Sequence, residues 1–227
     1  IIVGKDKLKR FAEMASFKRV IQPSREETEN GIALRGKWGS DFFKNEQPII
    51  LELGCGHGDY TVNMARLRPD VNFIGVDVKG ARIWRGAKDA ETENLENVGF
   101  LRTQIELIDR CFGPDEIDEI WITFPDPQLK FRRAKHRLTH PLFLARYRNI
   151  LKKAGFIHLK SDSEFLHGYT NGLLEMLGWP ILESNHDIYR NTQRDPLLDI
   201  KTYYEKKWLE QGKAITYLKF QLGEPQE

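Results

Sequence analysis

Two cysteines in 227 residues, Cys55 and Cys111, are too few for a disulfide framework, and neither stands at a metal-binding spacing. That scarcity suits a reducing compartment and argues against a structural zinc site, so no metal is expected. No apolar run approaches the roughly 18 residues that a bilayer span needs, and the basic-then-apolar pattern of a secretory leader is missing. The expected location is therefore cytoplasmic, without a membrane partner. Internal repeats and low-complexity tracts are absent too. The most informative absence is of one charge sign: between Pro127 and Ser161 there is no Asp or Glu.

That tract carries ten cations: Lys130, Arg132, Arg133, Lys135, Arg137, Arg146, Arg148, Lys152, Lys153 and Lys160. The formal net charge is only +2, so outside the tract 25 basic residues face 33 acidic ones and the rest of the chain carries −8. A second cluster (Lys5, Lys7, Lys9, Arg10, Lys18, Arg19) lies near the N-terminus against only Asp6 and Glu13. A solvated helix face is the plainer reading of one such cluster. Two of them on an otherwise acidic body point to a polyanionic partner.

Residues 1–45 are charged and weakly periodic, with Pro23-Ser24-Arg25 opening a short helix, and read as a basic N-terminal extension to a domain spanning 46–227. In that domain, apolar runs rich in β-branched residues alternate with helical patterns. Strands are expected at 48–53, 72–77, 98–103, 117–123, 155–160, 181–189 and 214–222. Helices are expected at 59–67, 80–93, 104–112, 163–177 and 203–211, with a long one capped by Thr139 and running through Lys152 and Lys153 to a stop at Gly155. Such alternation implies a mostly parallel sheet covered on both faces by helices, with ligands at the carboxyl ends of the strands.

Pro48-Ile49-Ile50-Leu51-Glu52-Leu53 runs into Gly54-Cys55-Gly56-His57-Gly58, where a strand cannot continue. Glycines there permit a ligand to approach the backbone. The nicotinamide fingerprint needs a third glycine at position 59, where Asp59 stands and would face a pyrophosphate. Glu52 would repel an anion and attract a cation, and Asp77, about twenty residues on at a strand end, is placed to accept both hydrogens of a ribose diol. A strand-end charge and a turn residue are the bland alternatives. The whole βα setting favours a nucleoside that carries a positive charge.

With these residues the chain resembles the class I S-adenosylmethionine-dependent methyltransferases over about residues 48–222. The resemblance implies a Rossmann-like α/β fold, a seven-stranded, mostly parallel sheet with an antiparallel last strand, here 214–222. It also implies a cofactor site at Glu52, Gly54, Gly56, Gly58 and Asp77, with Gln104 where an acidic residue commonly meets the adenine.

Phe124-Pro125-Asp126-Pro127 follows the fourth strand of the domain, and its prolines restrict the backbone on both sides of the carboxylate. A proline-rich turn alone is structural more often than not. Followed by Lys130, Arg132, Arg133, Lys135, His136 and Arg137, it joins a fixed carboxylate to a phosphate-binding loop. The combination is similar to the F-P-D-P-x-x-K segment of the tRNA (guanine-N7)-methyltransferases. By that resemblance Asp126 is the catalytic, cofactor-adjacent acid. Lys130 and Asp162 contact the substrate, and Thr202 and Glu205 form the substrate motif T-x-x-E, which doubles as a helix capping box. The partner would be tRNA, methylated in its variable loop, with Arg132, Arg133, Lys135 and Arg137 on its phosphates and no second protein required beyond a monomer or homodimer. Gln104, and Gln128-Leu129 where an aromatic often follows P-D-P, depart from the family pattern.

Other residues read more plainly. His136 and His140 have no intervening Glu and no third ligand. Trp84, Trp121, Trp179 and Trp208 suit packing, as does Cys55, which has no base beside it. The competing functions are a methyltransferase for a small molecule or protein, which would leave the basic tract idle, a non-catalytic RNA-binding module and, weakest, a nicotinamide oxidoreductase.

Overall fold

The structure is a computed structural model that describes residues 10, 12–190 and 192–224. The chain divides into two compact units, Ile1–Gly113 and Pro114–Glu227.

In the first unit, strands β1 (Val20–Ile21), β2 (Ile49–Leu53), β3 (Asn72–Val76) and β4 (Val98–Leu101) lie in the order β1-β4-β3-β2, all pairs parallel. All residues of β2, β3 and β4 are buried, as expected of parallel strands covered on both faces. The helices are α1 (Arg25–Asn30), α2 (Asp59–Leu67), α3 (Gly80–Thr92) and the single turn α4 (Ile108–Cys111). Ser24 and Glu27 close a capping box at the start of α1. Residues ahead of 46 take part in this packing. β1 pairs with β4, and Trp38, fully buried in a π-helical turn over Trp38–Phe43, donates its indole N–H to Cys111 O at 2.9 Å and stacks on Phe112.

In the second unit, β5 (Ile117–Thr123), β6 (Leu151–Ser161), β7 (Ile181–Asn185) and β8 (Thr216–Phe220) lie in the order β5-β6-β8-β7. β6 runs parallel to β5, and β8 runs antiparallel to both β6 and β7. Helices α5 (Pro141–Arg148), α6 (Glu164–Leu177) and α7 (Tyr203–Glu210) complete it. The described strands therefore number eight where seven were expected, the extra one being the two-residue β1, too short to show as a period in sequence. The antiparallel last strand is present.

Four boundaries differ from expectation for physical reasons. The strand expected at 181–189 stops at Asn185, whose side-chain oxygen accepts the Asp187 N–H at 2.9 Å and turns the chain into a 3₁₀ turn over Ile188–Arg190. The helix expected at 104–112 is a 3₁₀ turn over Ile105–Leu107 followed by α4. The helix expected to reach Gly155 ends at Arg148, because Leu151 already pairs with Ile117. Gly155 sits inside β6, where a Cβ would meet Asp118 O at 2.7 Å. His140, not Thr139, caps α5: its Nδ1 accepts the Leu142 N–H at 3.2 Å, while Thr139 is buried against the Thr170 hydroxyl at 2.8 Å.

Candidate active site

At the carboxyl end of β2 the backbone turns through Gly54, Gly56 and Gly58 with φ of +78°, +56° and +77°, values that a side chain resists. A Cβ on Gly54 would meet nothing within 4 Å, so this turn presents bare, accessible backbone. Gly58 is needed for close packing instead. Its own Cβ would strike the Phe100 ring at 2.8 Å, and Gly86 of α3 approaches it so closely that a Cβ there would lie 2.7 Å from His57 O. Gly86, to which no motif in the sequence points, is thus what lets α3 press against the turn.

The two carboxylates beside this turn are withdrawn from bulk water, Glu52 at 1% exposure and Asp77 at 8%. Asp77 accepts the Gly56 N–H at 3.1 Å through one oxygen and the Lys79 N–H at 2.7 Å through the other. It thereby ties the end of β3 to the glycine turn. Glu52 accepts a hydrogen bond from the Thr61 hydroxyl on α2. Burial, reinforced by the Glu52 and Asp77 charges, pushes the Cys55 thiol well above its ordinary range, which fits packing rather than reactivity. Burial likewise pushes Cys111 up to about 12. Gln104 is exposed at the start of its 3₁₀ turn. A carboxylate-lined turn of bare backbone fits a nucleoside bearing a cationic sulfur better than it fits a pyrophosphate.

In the second unit, the loop after β5 passes through Phe124 and Gln128 at φ of +48° and +49°, left-handed conformations that cost non-glycine residues about 1 kcal/mol or more each. Its shape is imposed from outside. Phe124 donates its N–H to Lys160 O at 2.8 Å. Asp126 is exposed, with one carboxylate oxygen accepting the Gln128 N–H at 3.0 Å. Lys130, Arg132, Arg133 and Lys135 are exposed, Arg133 reaching back to Gln128 Oε1 at 2.7 Å. Arg137, expected on the phosphates with them, is only 6% exposed. It donates to the Pro127 and Gln128 carbonyls at 3.3 and 3.2 Å, and its guanidinium lies 4.3 Å from the Tyr169 ring centroid and 4.9 Å from that of Phe165. It is a brace beneath the loop.

Asp162 follows β6, partly exposed and 3.5 Å from Lys213 Nζ. Thr202 caps α7, its hydroxyl accepting the Glu205 N–H at 3.2 Å. Glu205 itself is fully buried: its carboxylate receives Lys160 Nζ at 2.8 Å and the Tyr189 hydroxyl at 2.7 Å. Lys160 also donates to Leu198 O and Ile200 O, both at 2.9 Å. Burial pushes the Lys160 ammonium down from its usual range against the opposing pull of Glu205, and raises the Tyr189 hydroxyl far above its own. Lys160, in sequence one more member of the basic tract, is instead the buried tie that fastens α7 and the preceding turn to the end of β6. Its place inside the strand Phe-Ile-His-Leu-Lys-Ser, two residues past the buried His158, is the signal that could have revealed it.

Of the N-terminal cluster, Lys5, Lys7 and Lys9 lie outside the described residues. Arg10 sits 4.7 Å from the Trp84 ring centroid and Arg19 5.5 Å from that of Phe42. Trp84 donates to Glu13 at 2.9 Å. Among the described residues there is no grouping of side chains able to hold a metal ion, and no helix is long and apolar enough to cross a membrane.

Comparison with known proteins gives the family. A family model described as putative methyltransferase matches residues 46–218. The tRNA (guanine-N(7)-)-methyltransferase of Christiangramia forsetii is 59% identical over 221 residues, covering 96% of this chain and 99% of that protein. The Bacteroides fragilis protein of the same name is 49% identical, covering 99% of this chain and 88% of that one. Among solved structures, the 16S rRNA methyltransferase KamB superposes with a TM-score of 0.62 at 12% identity over 82% of this chain and 92% of its own, and shows the shared fold. By the family model and the identity to these relatives, the chain belongs to the tRNA (guanine-N(7)-)-methyltransferase family.

Proposed function

We propose that this protein transfers a methyl group from S-adenosylmethionine to N7 of a guanine in the variable loop of tRNA. The observation that carries the reading is that one chain holds both features, a bare glycine turn beside the buried carboxylates of Glu52 and Asp77 in its first unit and an exposed, proline-flanked Asp126 leading into exposed cations in its second.

Guanine N7 has an in-plane lone pair on its major-groove edge, so the acceptor needs no deprotonation. When bound, S-adenosylmethionine supplies a methyl on a cationic sulfur, the S–C bond breaking as the N7–C bond forms and positive charge passing to the purine. Catalysis then rests on positioning and charge placement. Glu52, Gly54, Gly56 and Asp77 would hold the cofactor, Asp77 through its ribose and Gln104 through its adenine, while Gly58, expected among them, lets the turn pack against Gly86. Asp126 and Asp162 accept hydrogen bonds from the guanine N1–H and 2-amino group and stabilise the developing charge. Lys130 and Thr202 orient the substrate. Glu205, committed to Lys160 and Tyr189, supports this surface from below. Arg132, Arg133 and Lys135 hold phosphates without reading sequence, and the basic extension over residues 1–45 adds to that hold. The target guanine leaves its stack, which loop nucleotides do at least cost. The buried, unpaired thiols of Cys55 and Cys111 suit a cytoplasmic protein acting as monomer or homodimer.

Labelled methyl should enter unmodified tRNA, and a transcript carrying 7-deazaguanine in the variable loop should accept none. Equal labelling of that transcript would refute the assignment. A methyltransferase for another substrate class would be insensitive to competition by bulk tRNA, and a non-catalytic RNA binder would show no heat on titration with S-adenosylmethionine.

A further inference from the structure

Phe131 is 93% exposed, the most exposed of the large hydrophobic side chains among the described residues. Leaving a phenyl ring in water forgoes the stabilisation that burial would give it, and nothing in the fold asks for an aromatic there. Nor is the segment loose. Phe131 opens the 3₁₀ turn Phe131–His136, closed by the Arg133 N–H to Lys130 O bond at 2.8 Å and the Arg137 N–H to Ala134 O bond at 3.0 Å. The buried Arg137 anchors its far end. A 3₁₀ turn repeats every three residues. Phe131 and Ala134 therefore share one face, Arg132 and Lys135 a second, and Arg133 and His136 a third, so the ring stands between two polar ridges that carry three exposed cations. No carboxylate occurs anywhere from residue 128 to 160.

A rigid, outward aromatic between cationic ridges matches a partner that is flat and apolar on its face and anionic along its edges. We propose that Phe131 is a stacking platform for one unpaired nucleobase of the tRNA, next to the guanine that is methylated, with Arg132 and Lys135 on one side and Arg133 on the other taking the adjoining phosphates. Stacking there holds open the gap left when the guanine departs its stack, and it is indifferent to base identity because every base offers a π face. The inference rests on the tRNA reading above.

Phe131→Ala, Phe131→Leu and Phe131→Trp variants, titrated with tRNA at several salt concentrations, test it. Because the ring packs against nothing, all three should melt with the wild type. Alanine and leucine should weaken tRNA binding by about 5- to 150-fold, tryptophan should restore it, and the salt dependence should keep its slope because no phosphate contact is lost. A tRNA made abasic at the nucleotide flanking the target guanine should bind the wild type with the same loss and show no further loss with Phe131→Ala. Wild-type affinity in the leucine variant would overturn stacking, since an apolar contact without a ring would then suffice, and so would wild-type affinity in the alanine variant. If alanine has no effect while reversing Arg132, Arg133 and Lys135 to Glu still weakens binding, the platform falls and the tRNA reading stands. Absence of any salt-dependent tRNA binding by the wild type would bring down both.

Discussion

Residues 49–77 withdraw two carboxylates, Glu52 and Asp77, from water and aim them at the protein's own backbone and a neighbouring hydroxyl. Residues 124–137 do the reverse: Asp126 and every cation except Arg137 face outward, and the strain of the loop is carried by Phe124 and Gln128. The contrast matches what the proposed function asks of each half. A small cofactor is best met by a site set before it arrives, whereas a large polyanion is held by many exposed charges whose individual contributions are modest. Rigidity is needed on both sides, but it comes from glycine geometry in the first and from buried cations, Arg137 and Lys160, in the second.

The largest effect should come from the exception to that pattern, the fully buried Lys160–Glu205 pair. Lys160→Met would leave a buried carboxylate without its countercharge and should cost about 3–5 kcal/mol in a denaturant titration, and Lys160→Met with Glu205→Met should recover part of it, the Leu198 and Ile200 carbonyls and the Tyr189 hydroxyl still lacking their partners. No recovery in the double variant would mean that these hydrogen bonds, rather than the balance of the two charges, carry the stabilisation. Asp126→Asn should lower turnover by about 10² to 10³ with the melting temperature and tRNA affinity nearly unchanged, since the exposed carboxylate supports only one short turn. Near-normal turnover would remove Asp126 from the chemistry.

On the cofactor side, Gly86→Ala forces a methyl to within 2.7 Å of His57 O and should cost about 1–3 kcal/mol, weakening S-adenosylmethionine binding through displacement of the turn. Unchanged cofactor affinity, measured by calorimetry, would separate α3 from the site. Reversing Arg132, Arg133 and Lys135 should flatten the salt dependence of tRNA binding by about 0.7 to 0.9 per lost phosphate contact. Adding Arg137→Lys should damage the loop's stability rather than its salt slope. The smallest effect is on pH. Burial holds His158 below its ordinary value of 6.5 against the pull of Glu119, and it lowers His167 likewise. The unfolded chain therefore takes up these protons first, so stability is intact above about pH 6.5 and erodes as the pH falls below it. His158→Gln should make that decline shallower in melts from pH 8 to pH 5.

The first half was the more legible in sequence. A carboxylate before three glycines, followed by a strand ending in Asp77, specifies backbone conformation and charge together, and both are local. Gly86 escaped because its role depends on a neighbour nearly thirty residues away. In the second half the P-D-P turn and the charge run were plain, but which cations face water was not. Arg137 and Lys160 are indistinguishable by composition from Arg132 and Lys135, and only tertiary partners, the Tyr169 and Phe165 rings and the Glu205 carboxylate, draw them inside. The T-x-x-E segment shows the same limit: spacing gave the cap made by Thr202, while the fate of the Glu205 side chain was set by Lys160, 45 residues earlier. Lys152 and Lys153, expected at a helix end, lie in β6, where Lys152 pairs with Asp118 across the strands at 2.6 Å.

Incubating the protein with unmodified tRNA and methyl-labelled S-adenosylmethionine, then cleaving the RNA chemically at N7-methylguanine, tests methyl transfer to guanine N7 most directly. One new cleavage in the variable loop, accounting for all of the incorporated label, is the expected result. Label without cleavage, or cleavage spread over helical guanines, would contradict it.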